Sequence, residues 1–80
     1  MKLPTGSQIA AARVLAGLGQ RELAALAGVN PSTVNRMERS GAATARGQSR
    51  NVQSVIDALL KQGVEITADG VRVVSATSKR

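Results

Sequence analysis

The sequence contains no cysteine, no histidine and no aromatic residue. Without Cys and His there is no zinc site of the usual kind and no thiol chemistry. Disulfides cannot staple the fold, which suits a reducing compartment. Without Phe, Tyr or Trp the chain has no platforms on which bases stack, so single-strand recognition of the OB or RNA-recognition-motif type is disfavoured. Acidic residues are scarce: five Asp and Glu stand against eleven Lys and Arg, a net charge of +6. Five scattered carboxylates, with no His or Cys, leave no general acid–base pair and no activated nucleophile. The chain is therefore expected not to be an enzyme and to need no cofactor or metal. Long apolar runs are missing too. Nothing approaches the roughly 18 residues of a membrane span, and Met1-Lys2-Leu3-Pro4-Thr5-Gly6 has no signal-peptide core. A soluble, cytoplasmic chain with no membrane partner is the expectation.

What is present is 80 residues, room for one small domain. The apolar fraction is 42%, much of it Ala, and a small Ala-rich domain often needs a second chain for stability. The cationic excess points to an acidic partner, most simply nucleic acid.

Local signals divide the chain into helices. Thr5-Gly6-Ser7-Gln8 has the Thr-x-x-Gln form of a capping box. Ile9, Ala12, Leu15 and Ala16 follow at helical spacing, which predicts a first helix from about Gly6 to Leu18. Gln20–Ala27 reads as a second helix with Leu23, Leu26 and Ala27 on one face, stopped by Gly28. Asn30-Pro31 pairs a favoured N-cap with a favoured first helical residue, opening a third helix to about Arg39 with Val34 and Met37 inward. The stretch from Ser40 to Ser49 is a polar, small-residue loop with room for one helical turn. Val52, Val55, Ile56, Leu59 and Leu60 form the best apolar stripe, on a fourth helix from about Arg50 to Gln62. Val64-Glu65-Ile66-Thr67 and Val71-Arg72-Val73 alternate with period two around Ala68-Asp69-Gly70, the pattern of a β-hairpin. The fold expected is mainly α: a bundle of four helices, or five with a turn in the loop, and a C-terminal hairpin. Residues 1–63 would form the helical unit, 64–75 the hairpin and 76–80 a flexible tail.

The second and third helices form a helix-turn-helix pattern. Leu23, Ala27, Val29, Val34 and Met37 are apolar where two crossed helices face each other. Ala24 is small where they pass closest, and Gly28 sits where the turn needs a positive φ. Seven positions agree at once. The stretch from Gly17 to Glu38 resembles the core of the Xre/Cro-type helix-turn-helix DNA-binding proteins, which include phage repressors and small bacterial regulators. The resemblance covers about residues 7–41. It implies a lambda-repressor-like fold, a third helix in the major groove, and a homodimer on a two-fold operator in a bacterium or phage. It also implies that Arg13 pairs with Glu38. The loop after the third helix departs from the phage repressors, with one extra residue before Gly41 and no Pro-rich turn.

A helix in the major groove offers base edges its N-terminal residues and those one turn on. Here these are Pro31, Ser32, Asn35 and Arg36. Pro31 offers apolar contact only and Ser32 a small donor or acceptor. Arg36 can hold guanine with two parallel bonds, and Asn35 suits either adenine or a phosphate. Phosphate contacts are expected from Gln20, at a helix start and matching the Gln the family uses, and from Arg21, Asn30 and Thr33. Arg39, Arg46 and Arg50 complete the set. From Val29 to Asn51 four Arg face one Glu, a local excess of three positive charges. The hairpin residues Val64, Ile66, Val71 and Val73 are expected to pack on the fourth helix and to carry dimerisation through an open strand edge. The function expected is a sequence-specific double-stranded-DNA-binding transcription regulator, a repressor acting on a palindromic operator. The alternative is an antitoxin that binds a partner toxin and represses its own operon.

Overall fold

The computed structural model describes residues 3–45 and 49–74. Four helices, α1 (Gly6–Leu15), α2 (Gln20–Ala27), α3 (Pro31–Glu38) and α4 (Ser49–Lys61), precede a hairpin of β1 (Val64–Ile66) and β2 (Val71–Val73). This is the mainly α arrangement with a C-terminal hairpin that the sequence predicts, compatible with the lambda-repressor-like fold that the resemblance implies. No fifth helix forms among the described residues of the loop after α3. Arg46 and the 76–80 tail lie outside the described residues.

The capping box forms at the start of α1. Gln8 N–H donates to Thr5 Oγ1 at 3.1 Å, and Thr5 N–H donates to Gln8 Oε1 at 2.8 Å. The helix ends three residues earlier than the apolar spacing predicts. Gly17, left-handed at φ +75°, turns the chain. The Leu18 N–H then reaches back to Arg13 O at 3.1 Å and the Gly17 N–H to Val14 O at 3.0 Å. These two bonds are a Schellman stop, so the first glycine of Gly17-Leu18-Gly19 terminates the helix. The third residue of that run, Gly19, instead begins α2, where Glu22 Oε1 accepts from its N–H at 2.7 Å. Gly28, at φ +73°, ends α2 as expected.

The path from Ser40 to Ala45 could not be read from the sequence. Here it runs antiparallel to the N-terminal segment. Ala45 N–H donates to Pro4 O at 2.8 Å, Gly6 N–H to Ala43 O at 3.1 Å and Ser7 N–H to Gly41 O at 2.9 Å, with a bridge between Thr5 and Thr44. The first amides of α1, which have no partner within the helix, are thus satisfied by the loop after α3.

One core serves all elements. Ile9 and Ala12 of α1, Leu23 and Ala24 of α2, Val34 and Met37 of α3, Val52, Val55, Ala58 and Leu59 of α4, Ala45 and Val64 are all buried. Each fully buried aliphatic side chain contributes about 1.5–3 kcal/mol. Three residues of the expected apolar faces lie outside, Leu15 at 51% exposure among them. Leu26 is 52% exposed and Leu60 45%. At about 100° per residue, Ala24 and Ala27 set the inward face of α2 to one side of Leu23, and Leu26 falls on the other. On α4 the inward face is centred on Val52, Val55 and Leu59, which leaves Leu60 on its flank.

The hairpin pairs Val64 with Val73, Glu65 with Arg72 and Ile66 with Val71. It packs against α1 as well as α4. Its turn is closed by Thr67 N–H donating to Gly70 O at 2.8 Å. Gly70 does not adopt a positive φ. Among the described residues, no helix is long and apolar enough to cross a membrane.

Candidate nucleic-acid interface

Helix α3 is built to be fixed on one side and bare on the other. Pro31 pre-sets φ at its first position, and Val34 and Met37, three apart, bury one face completely. Pro31, Ser32, Asn35, Arg36 and Arg39 are all exposed on the other. Ser32, Asn35, Arg36 and Arg39 line one open depression of about 520 Å³, together with Ser40 and Ala43. Three of the four residues expected to read bases therefore share a concavity with one expected phosphate contact. Pro31 is exposed at the rim of the helix and does not line it.

The acidic residue of α3 is turned away from this face. Glu38 accepts from Arg13 Nε at 2.7 Å through Oε2 and from Arg13 Nη2 at 3.2 Å through Oε1. The side chains are 20% and 9% exposed, and two parallel bonds give the pair a fixed geometry. Arg13 Nη1 also donates to Leu18 O at 2.9 Å, tying the α1–α2 turn to the pair. The pairing of Arg13 with Glu38 is as the family resemblance implies. Among the described residues the other ion pair is Arg72 with Glu65 on the hairpin. Arg21, Arg36, Arg39 and Arg50 thus have no carboxylate partner among the described residues, and the outer side of α3 carries positive charge that no described carboxylate offsets.

The remaining expected contacts divide. Gln20 is half-buried. Its Nε2 donates to Glu38 Oε1 at 3.0 Å, and its Oε1 accepts from Asn35 Nδ2 at 3.4 Å. Asn30 holds the N-cap position by backbone conformation, but its side chain makes no capping bond. With Thr33 it lines a second depression, beside the α2–α3 turn residues Gly28 and Val29. Asn51 of α4 joins this group. It was missed in the sequence because no local signal places the start of α4 against that turn. Arg21 and Arg50 are exposed, on α2 and in the first turn of α4, and line neither depression.

The hairpin residues expected to dimerise are not equivalent. Val64 is 2% exposed and belongs to the chain's own core. Its side chain is thus spent on packing within the chain, and its part in self-association would be through the backbone edge of β1. Ile66 and Val71 are half-buried against the same core. Val73, opposite Val64 in the register, is 65% exposed.

A family model described as helix-turn-helix matches residues 9–46, which takes in most of α1, all of α2 and α3, and the loop behind them. No curated protein matches the chain.

Proposed function

Because the chain carries, over residues 9–46, a helix-turn-helix of the Xre/Cro type found in DNA-binding regulators, we propose that it is a repressor that binds a palindromic operator as a homodimer. One observation carries the reading: α3 exposes Ser32, Asn35, Arg36 and Arg39 together while its Glu38 is held inward on Arg13. A helix with its side chains is about 10–12 Å across, and the major groove is about 12 Å wide. Arg36, one turn into the helix, offers guanine two parallel donors to O6 and N7. Arg39 and Arg50 supply charge for the flanking phosphates, and Asn30, Thr33 and Asn51 supply polar hydrogens. Both tasks, duplex binding and self-association, are assigned to the described residues.

Self-association is assigned to the hairpin side. Each strand has one neighbour among the described residues, so each keeps one free edge. Both helices beneath it end in exposed apolar residues, Val14 (66%) and Leu15 (51%) on α1 and Leu60 on α4. A second copy is the occupant that would cover these and Val73 by a two-fold contact.

Selection of bound duplexes from a random pool at near-physiological salt tests the reading. A two-fold motif with half-sites about one helical turn apart is expected. Arg36→Ala is expected to weaken binding to the selected site by about 1–3 kcal/mol while leaving binding to random duplex nearly intact. Equal losses on both DNAs would reduce Arg36 to a backbone contact, and failure to enrich any sequence would remove the operator.

A further inference from the structure

Behind the exposed face of α3 runs a chain of side chains whose polarity is fixed at one end. Arg13 is permanently cationic and only donates. It grips both oxygens of Glu38, and a carboxylate so held only accepts. Gln20 must therefore present Nε2, not its oxygen, to Glu38, as it does at 3.0 Å. That leaves Gln20 Oε1 facing the other way, and an amide oxygen only accepts. Asn35 answers with Nδ2 at 3.4 Å. The two ends of an amide are told apart by the network they join. Here an ion pair two links away decides which end of Asn35 is which.

Resting on the operator binding proposed above, we infer that Asn35 is a specificity-determining residue that reads adenine, and that Gln20 is the positioning residue that sets its orientation. With one Nδ2 proton directed at Gln20, Asn35 retains Oδ1 and its second Nδ2 proton, an acceptor and a donor side by side. Adenine shows the complementary pair in the major groove, the N6 amino donor and the N7 acceptor. Guanine shows two acceptors there, so Oδ1 would stand against O6. Asn35 shares its depression with Ser32 and Arg36, so the base it meets belongs to the half-site that Arg36 reads. Among the four residues expected to face bases, Asn35 is hydrogen-bonded through Gln20 to the Arg13–Glu38 pair. Its orientation is settled before the duplex arrives, which lowers the ordering cost of binding.

The test is duplex selection from a random pool by the wild-type chain, Asn35→Ala and Gln20→Ala, followed by affinity measurements on the wild-type site. The wild-type half-site is expected to contain one adenine whose replacement by 7-deazaadenine weakens binding roughly tenfold. Asn35→Ala is expected to lose the preference at that position alone and to become indifferent to the deaza substitution. Gln20→Ala is expected to reduce the same preference while the position read by Arg36 remains selective, a pattern that general loss of folding does not produce. In the double variant the two effects should overlap, adding less than about threefold to the worse single variant because the residues act as a unit. An Asn35→Ala chain that recovers the wild-type motif unchanged at every position overturns the inference and leaves operator binding standing. A wild-type chain that selects no motif overturns both.

Discussion

A methyl group on Gly6 would fall on the carbonyl oxygen of Met37 and lie 2.9 Å from both the Glu38 carbonyl oxygen and the Gly41 amide nitrogen. All three are backbone atoms, two at the end of α3 and one in the loop after it, so none can swing aside. Gly6→Ala gains helix propensity, about 1 kcal/mol at an ordinary site. Overpacking against backbone costs about 1–3 kcal/mol or more, and here it wins. The variant is expected to melt several degrees lower, each kcal/mol being worth about 4–8 °C in a domain of this size. An unchanged melting temperature would mean that α1 does not approach α3 at this point. In the sequence Gly6 is only the second residue of a capping box, because nothing local says which way its missing side chain would point. Gly28 is legible for the opposite reason: a tight turn between two apolar helices needs a positive φ, and the chain itself supplies glycine there. Gly70 looks equally diagnostic in a hairpin turn, yet it does not adopt a positive φ: it faces Thr67 across the turn, and Ala68 and Asp69 make the turn between them.

Among the elements, α1 is read correctly at its start and not at its finish. The capping box is four consecutive residues, so its partners are fixed by covalent distance. Its Gln8 also has a second task that no local pattern reveals. Gln8 Nε2 donates to Thr67 O at 2.8 Å and Gly70 O at 3.1 Å, 59 and 62 residues further along. One side chain thereby caps α1 and anchors the tip of the hairpin. Gln8→Glu separates the two tasks. It keeps an oxygen for the Thr5 N–H and sets a carboxylate oxygen against two carbonyls in place of the donor. Helical circular dichroism is expected to survive, while the Thr67 amide, which closes the turn, exchanges at least tenfold faster as about 1–3 kcal/mol of local stability is lost. Equal protection of that amide in both proteins would show that the hairpin is held by its apolar residues alone. Helix faces follow the same division. The buried sides of α3 and α4 are legible from spacing, whereas Leu26 and Leu60 are misplaced because a leucine at i+3 or i+4 can lie on either flank of the buried stripe, and only the packing partner chooses.

For the whole molecule the consequence is a division of surfaces. The core residues of α1, α2, α3 and α4 hold the α3 ridge outward, and the hairpin packs on α1 and α4. The two tasks proposed for the chain, duplex binding and self-association, therefore rest on different elements and can be separated by single substitutions. Val73→Lys places a charge on a side chain that is already 65% exposed, so the protomer should fold as before. In a two-fold contact across the β2 edge the lysines of both copies would lie at the shared seam, like charges that oppose association. Sedimentation of the wild-type chain is expected to show a dimer, and that of Val73→Lys a shift toward monomer at equal concentration. Binding to a single half-site should change little, because Ser32, Asn35 and Arg36 are untouched. Binding to the full palindrome should lose its advantage over the half-site, since two linked recognition helices engage the second half-site at a high effective concentration and two free ones do not. A Val73→Lys chain that still sediments as a dimer would move the interface off the strand edge, toward the exposed ends of α1 and α4. One that is monomeric yet still prefers the full palindrome would show that the DNA itself brings the two copies together.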